Sequence, residues 1–199
     1  MGFEQFSIKL AEDPALVRAI WEKVAEIVHA EFQDAIQRDV VGAIWYVDDI
    51  AIKDRLMASP TLLREELFPR LKLIADGCQT RGIPLIYHTD GNVMRVLDDI
   101  IGLGINALHP IDPTGMDIYG FKPKVEGKLS VIGNIDIDIL TLGTPQEVVA
   151  DTKKHIRKLA PGGGYVVSSS NSVVRSFKPE NYSAMLETVR KYGIYPINI

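Results

Sequence analysis

The 199-residue sequence contains one cysteine, Cys78. A lone thiol can form neither an intramolecular disulfide nor an all-cysteine metal site, and its place in an amphipathic helical pattern reads as core packing in a reducing compartment. Basic tracts are also missing, and the formal net charge is -4. That excludes sequence-independent attraction to nucleic-acid phosphates. The N-terminus has no basic region leading into an apolar core, and no apolar run approaches the roughly 20 residues that span a bilayer. Low-complexity segments and internal repeats beyond a strand–helix unit are absent as well. These absences describe a soluble cytoplasmic protein with neither a nucleic-acid nor a membrane partner. A hydrophobic content of 46% supports a buried core and argues against disorder.

The most informative stretch runs from Ile83 to Asn92. Pro84 to Tyr87 reads as a short buried strand that delivers His88 and Asp90 to its carboxyl end before Gly91 breaks it. Side chains two residues apart on a strand share a face, so the imidazole and the carboxylate point the same way. Such positions carry the chemistry of α/β proteins. The same residues also fit a buried core histidine and an N-cap for a helix from Asn92.

The rest of the chain is organised around that strand. Asp13-Pro14 signals an N-cap and first turn, and Val17, Ile20, Trp21, Val24, Ile27, Val28, Phe32 and Ile36 recur at helical spacing, which predicts a long helix to about Asp39. His29 lies one residue off that stripe, at its boundary. Val40 to Ile52 reads as a buried strand finishing at Asp48-Asp49; adjacent residues face opposite sides, so only one of the two aspartates can enter a shared site. Ser59-Pro60 opens a helix to Arg81 with a kink or break at Pro69. Strands follow near 106 and 130, with Lys122 to Lys128 between them read as a polar turn, and Thr144-Pro145-Gln146-Glu147 is a capping box opening a helix to about Leu159. His155, among Lys153, Lys154, Arg157 and Lys158, reads as a surface residue. Gly162-Gly163-Gly164 stands before a strand rather than after one, so it reads as a turn and not a phosphate cradle. Pro179-Glu180-Asn181 opens the last helix.

Strands near 40, 84, 106, 130 and 164 separated by helices predict a parallel sheet. Each strand ends in polar residues: Asp48/Asp49, His88/Asp90, His109/Asp112, Asn134/Asp136 and Ser168 to Asn171. All five clusters would meet at one rim if the sheet curls as a barrel.

Several motifs together resemble the C-terminal part of the uroporphyrinogen decarboxylase superfamily. They are His88-Thr-Asp90-Gly91-Asn92, His109-Pro110-Ile111-Asp112, Gly133-Asn134-Ile135-Asp136 with Leu140-x-x-Gly143-Thr144-Pro145-Gln146-Glu147, the glycine-led strand at 165, and Pro179-Glu180-Asn181 with Met185. The superfamily includes methylcobamide:coenzyme M methyltransferases and related corrinoid-linked demethylation enzymes. The resemblance implies an α/β fold, a partial (β/α)₈ TIM-type barrel of about five parallel strands plus a long N-terminal helix, forming one domain over 1–199 that is truncated on the N-terminal side of the barrel. Arginine-containing substrate motifs and a key aspartate of the decarboxylases fall in the missing part, and residues 1–12 do not replace them. In the zinc methyltransferases the metal is held by a His-x-Cys pair and a distant cysteine. Here His88 matches the histidine, Asp90 stands at the first cysteine, and the second falls near Ser168 to Ser170.

Three functions follow from the resemblance. The first is corrinoid-linked methyl transfer or demethylation, with Asp49, His88 and Asp90 catalytic, and Asp48, His109, Asn134, Asp136, Ser170 and Asn171 contacting substrate. His88 and Asp90 would then hold zinc weakly, since two protein ligands fall short of the usual three, with Asn134 or water completing the set. A corrinoid would be substrate or a partner-borne cofactor. The second is cofactor-free decarboxylation of a porphyrinogen, and the third a non-catalytic tetrapyrrole- or partner-binding remnant. Five strands cannot close an eight-stranded barrel, so a homo-oligomer or a partner chain supplying the missing strands is expected.

Overall fold

In the computed structural model, residues 2–199 are described. Helices α1 (Phe3–Glu12) and α2 (Pro14–Ile36) lead into β1 (Ile44–Val47), a short hairpin of β2 (Ala51–Ile52) and β3 (Arg55–Leu56), and α3 (Pro60–Leu62). A π-helical stretch, Leu63–Leu67, joins α3 to α4 (Phe68–Arg81), and β4 (Leu85–His88) follows. A 3₁₀ turn precedes α5 (Leu97–Gly102); then come β5 (Ala107–His109), α6 (Ile118–Val125), β6 (Ser130–Ile132), α7 (Ile137–Leu142), α8 (Pro145–Leu159), β7 (Tyr165–Val166) and α9 (Pro179–Tyr192). The five long-range strands form one parallel sheet in the order β1-β4-β5-β6-β7. Sequence order equal to spatial order, with helices in between, is the connectivity of a TIM-type barrel, of which this sheet is a part.

Local chemistry fixes these boundaries. The Asp13 carboxylate accepts from Leu16 N and Ser59 Oγ from Leu62 N, each capping a helix whose first residue is proline. At Thr144 the reciprocal capping box closes through Glu147. Pro69 lies in the first turn of α4, and the break before it is the π-helical stretch. Positive φ at Gly162, Gly163 and Gly164 makes the turn into β7.

Three expectations need correction, and one further helix is present. Val40 to Ile52 is not one buried strand: β1 covers four residues at the sheet edge, Val40 is exposed, and Ala51-Ile52 turns back on Arg55-Leu56 through Lys53 at positive φ. Lys122 to Lys128 is not simply a turn, because Ile118, Phe121 and Val125 at helical spacing bury one face of α6, with Asp117 capping it. Residues 3–12 form a helix whose Phe6 ring lies 5.4 Å from Trp21. His155 is buried rather than solvated: its Nδ1 bonds Asp151 O at 2.9 Å and its Nε2 faces Asn134 Oδ1 at 3.1 Å.

The main core lies between the sheet and its helices, with Leu85, Tyr87, Leu108 and Val131 of the strands meeting Ile36, Leu71, Ile74, Ile100 and Val125. By alternation, Trp45, Val47, Ile86, His88, Ala107, His109, Ile132 and Val166 face the concave side. That side is open: Trp45 is 45% exposed, Val47 64% and Val166 50%. No helix among the described residues is long and apolar enough to cross a membrane.

One buried charge ties the N-terminal helices to the barrel. Glu66 accepts from Arg18 Nε of α2 at 2.7 Å and from Arg70 of α4 at 3.0 Å. Burial works to raise its pKa, but the two arginines outweigh that and hold the carboxyl below its ordinary 4.5. Glu66→Gln is expected to lower stability by about 1 kcal/mol, roughly 2–4 °C in Tm, the difference between charged and neutral hydrogen bonds. A depressed folded pKa contributes stability above the ordinary value and loses it as pH falls through the folded one. The Tm gap between wild type and variant should therefore hold at neutral pH and close below about pH 4.5.

Candidate metal-binding site

The carboxyl ends of β1 and β4 are registered side by side, Val47 opposite His88, which brings Asp49 and the β4 terminus together. Of the paired aspartates, Asp49 enters the site: its Oδ1 accepts from Asp90 N at 2.9 Å and lies 3.7 Å from His88 Nε2. Asp90 Oδ1 stands 3.9 Å from the same nitrogen. One ligand atom from each of Asp49, His88 and Asp90 falls within 4.8 Å of the others, a spacing that one divalent ion can bridge.

Asp90 is not a helix cap: the 3₁₀ turn and α5 that follow begin without a side-chain cap, and Asn92 Oδ1 makes a local turn by accepting from Met94 N. The Asp90 turn is instead built from its surroundings. Gly91 has φ +74°, and a side chain there would collide with the backbone of Ile52, while Asp112 Oδ2 accepts from Gly91 N at 3.0 Å. Asn171 Nδ2 donates to Asp90 Oδ2 at 2.8 Å, and Asp90 Oδ1 is buried with no hydrogen-bond partner. Burial first, then the charge of Asp49, pushes the Asp90 carboxyl above its ordinary value. Two carboxylates and an imidazole converging with one oxygen unsatisfied are what a cation would complete, so the donor set fits a hard or borderline divalent ion.

His109 stands behind His88. Their Nδ1 atoms are 2.6 Å apart, with ring centroids at 4.8 Å. The His109 ring is 5% exposed, makes an edge contact with Trp45 at 5.0 Å, and has Ser168 Oγ 3.4 Å from Nε2. Burial, then the neighbouring His88, pushes its pKa down to about 4, so the ring is neutral at physiological pH.

The remaining candidates divide. Asp48 adjoins the triad: its carboxyl, raised by burial, accepts from Tyr46 OH at 3.4 Å, and with Asp49 it lines an apolar cleft of about 460 Å³ walled by Phe3, Phe6 and Trp21. Asn171 joins the site through Asp90. Asn134 does not complete the metal set, because its amide is committed to Ile111 O and His155. Asp136 caps α7 and, with Asn134, lines a separate polar crevice beside Asp151 and His155. Ser170 is buried, its hydroxyl accepting from Ile137 N. His109 has both ring nitrogens turned to protein groups. The sequence missed that relation, and its only signal was a histidine at the same strand-end register as His88.

Fold and site together define a barrel-type α/β protein with its polar residues at the carboxyl ends of parallel strands. The chain belongs to the uroporphyrinogen decarboxylase (URO-D) family, whose model matches residues 1–192. A curated uroporphyrinogen decarboxylase from Azoarcus sp. is 27% identical over 134 residues, covering 65% of this chain and 36% of that protein. A solved methyltransferase from Methanosarcina mazei superposes with a TM-score of 0.75 at 18% identity, over 96% of this chain and 54% of its own. That likeness is one of fold. The chain thus spans about a third of the one relative and half of the other.

Proposed function

We propose that this chain is a methyltransferase-like member of the family, acting in corrinoid-linked methyl transfer or demethylation, with a weak zinc-type site formed by Asp49, His88 and Asp90. The observation that carries the reading is the triad itself, with its unsatisfied Asp90 oxygen. When bound, such an ion acts as a Lewis acid that lowers the pKa of a coordinated thiol or water. The residues' own parts are distinct: Asp49 and Asp90 would supply the negative charge that holds such an ion and His88 a ring nitrogen, while Asn171 fixes the orientation of Asp90 and the apolar cleft offers a water-poor approach.

Charge weighs against decarboxylation of a porphyrinogen. That substrate is a polycarboxylate, and the rim gathers Asp48, Asp49 and Asp90, while Arg70, which lines the cleft, is already paired to Glu66, as is Arg18. Like charges a few ångströms apart in a partly buried site cost several kcal/mol of selectivity, on the order of magnitude known for mismatched interfaces.

The test is a pair of assays on purified protein. Zinc-dependent loss of the methyl group from methylcobalamin, followed by absorbance with a simple thiol as acceptor, is expected, and uroporphyrinogen should pass through unchanged. Porphyrinogen turnover in the presence of a chelator would overturn the proposal.

We propose in addition that a second copy of this chain covers the open concave face.

A further inference from the structure

The geometry points to His109 as a positioning residue: it accepts the Nδ1 proton of His88 and thereby presents the His88 Nε2 lone pair to the space between Asp49 and Asp90. The inference rests on the metal reading above, and it deepens that site by one shell.

Two nitrogens 2.6 Å apart must share a proton, with one ring donating and the other accepting. The far side of His109 decides which. The Ser168 hydroxyl, an oxygen able to accept a ring proton, stands 3.4 Å from its Nε2, and His88 Nε2 must keep its lone pair free to serve as a ligand. With Nδ1 occupied by His88, that proton belongs on Nε2. A neutral imidazole protonated at Nε2 has only a lone pair at Nδ1, so His109 accepts and His88 donates. The proton on His88 Nδ1 leaves Nε2 as its ligand atom, 3.7 and 3.9 Å from the two carboxylates. Ligating histidines are generally held by a hydrogen bond from the other ring nitrogen, most often to a carbonyl or carboxylate. Here a second, buried histidine takes that place, wedged by Trp45.

The interaction can be separated from mere packing. His109→Leu keeps an apolar filler but removes the acceptor, whereas His109→Asn puts a carbonyl oxygen on the same Cγ, where Nδ1 was. Long-range ¹H–¹⁵N spectra of ¹⁵N-histidine-labelled apoprotein, together with zinc titration by calorimetry, are the measurements. Wild type and His109→Asn should show a protonated His88 Nδ1 and bind zinc within a few-fold of each other. His109→Leu should lose that signature and bind about 10–100-fold more weakly, as is typical when an outer-shell partner is removed. An unprotonated His88 Nδ1 in the wild type, or equal losses in the Leu and Asn variants, would overturn the inference. If wild type binds no zinc at all, the metal reading fails, while the apoprotein spectra still decide the role of His109. A His109→Leu chain too unstable to label leaves the decision to the wild-type spectrum and to His109→Asn.

Discussion

Asp90→Asn is expected to make the metal-free protein more stable and, in the same step, to abolish its zinc binding. In the apoprotein Asp90 Oδ1 is buried without a partner, Asp49 lies across the His88 nitrogen from it, and burial together with that charge raises the carboxyl's pKa. A raised folded pKa means that the group's contribution is fully present below the ordinary value of 3.8 and is lost as pH rises through the folded value. At neutral pH the ionised pair is therefore a standing cost. An asparagine keeps the acceptor for Asn171 and replaces the orphan oxygen with a donor that Asp49 can use. An unsatisfied buried polar atom costs about 1–3 kcal/mol, which for a domain of this size is roughly 2–12 °C in Tm. The advantage should be seen at pH 7 and disappear near pH 3.8. Saturating zinc should reverse the ranking, since at 100 times Kd a ligand adds about 2.7 kcal/mol to wild type and nothing to a variant that cannot bind it. Scanning calorimetry with and without zinc reads all of this, and a variant whose Tm falls in the absence of metal would show that the aspartate pair is not strained.

Such a trade of stability for a site is also why the site was readable beforehand. A strand end that gathers carboxylates and an imidazole on one face goes against the general rule of burying apolar groups, and the period of two placed His88 with Asp90 and allowed only one of Asp48 and Asp49 to join them. Helix starts were readable for a comparable reason: Asp13, Ser59 and Thr144 each precede a proline, and that chemistry is local. What escaped was non-local. The burial of His155 follows from Asn134 reaching across from the end of β6, and no neighbour in the sequence signals it. The β2–β3 hairpin depends on a lysine in a left-handed conformation, where glycine or asparagine would have announced the turn. The pairing of His109 with His88 needs the β4–β5 register, which sequence spacing does not contain. Family resemblance pointed to the barrel, and the structure supplied the register between its strands.

The open side of that barrel leads to the other large effect. By light scattering at micromolar concentration, the purified chain is expected to run as a two-fold dimer and not at the 22.1 kDa of one copy. The five-stranded sheet leaves β1 and β7 as edges, and its concave face presents Trp45, Val47 and Val166 to solvent. On α2, Leu16, Ile20, Val24 and Ile27 fall on one stripe and are also exposed, so the helix carries more apolar surface than its contact with α4 consumes. Apolar area contributes about 25 cal/mol per Å² when covered, and soluble monomers seldom leave more than a few hundred Å² of it contiguous. In a solution of the purified protein, a second copy is the polypeptide available to cover it, and a two-fold arrangement places the same apolar face on both sides of the contact. Association has to overcome the loss of translational and rotational freedom, some 4–15 kcal/mol, which corresponds to several hundred Å² of well-packed apolar contact. Val47→Asp on the concave face should therefore shift the population toward monomer. A double variant with Val24→Glu on α2 tells which of the two surfaces carries the contact. A wild-type chain that stays monomeric and melts cooperatively at these concentrations would mean that α1 and α2 already cover enough of the open side, and the proposed second copy would have to be given up.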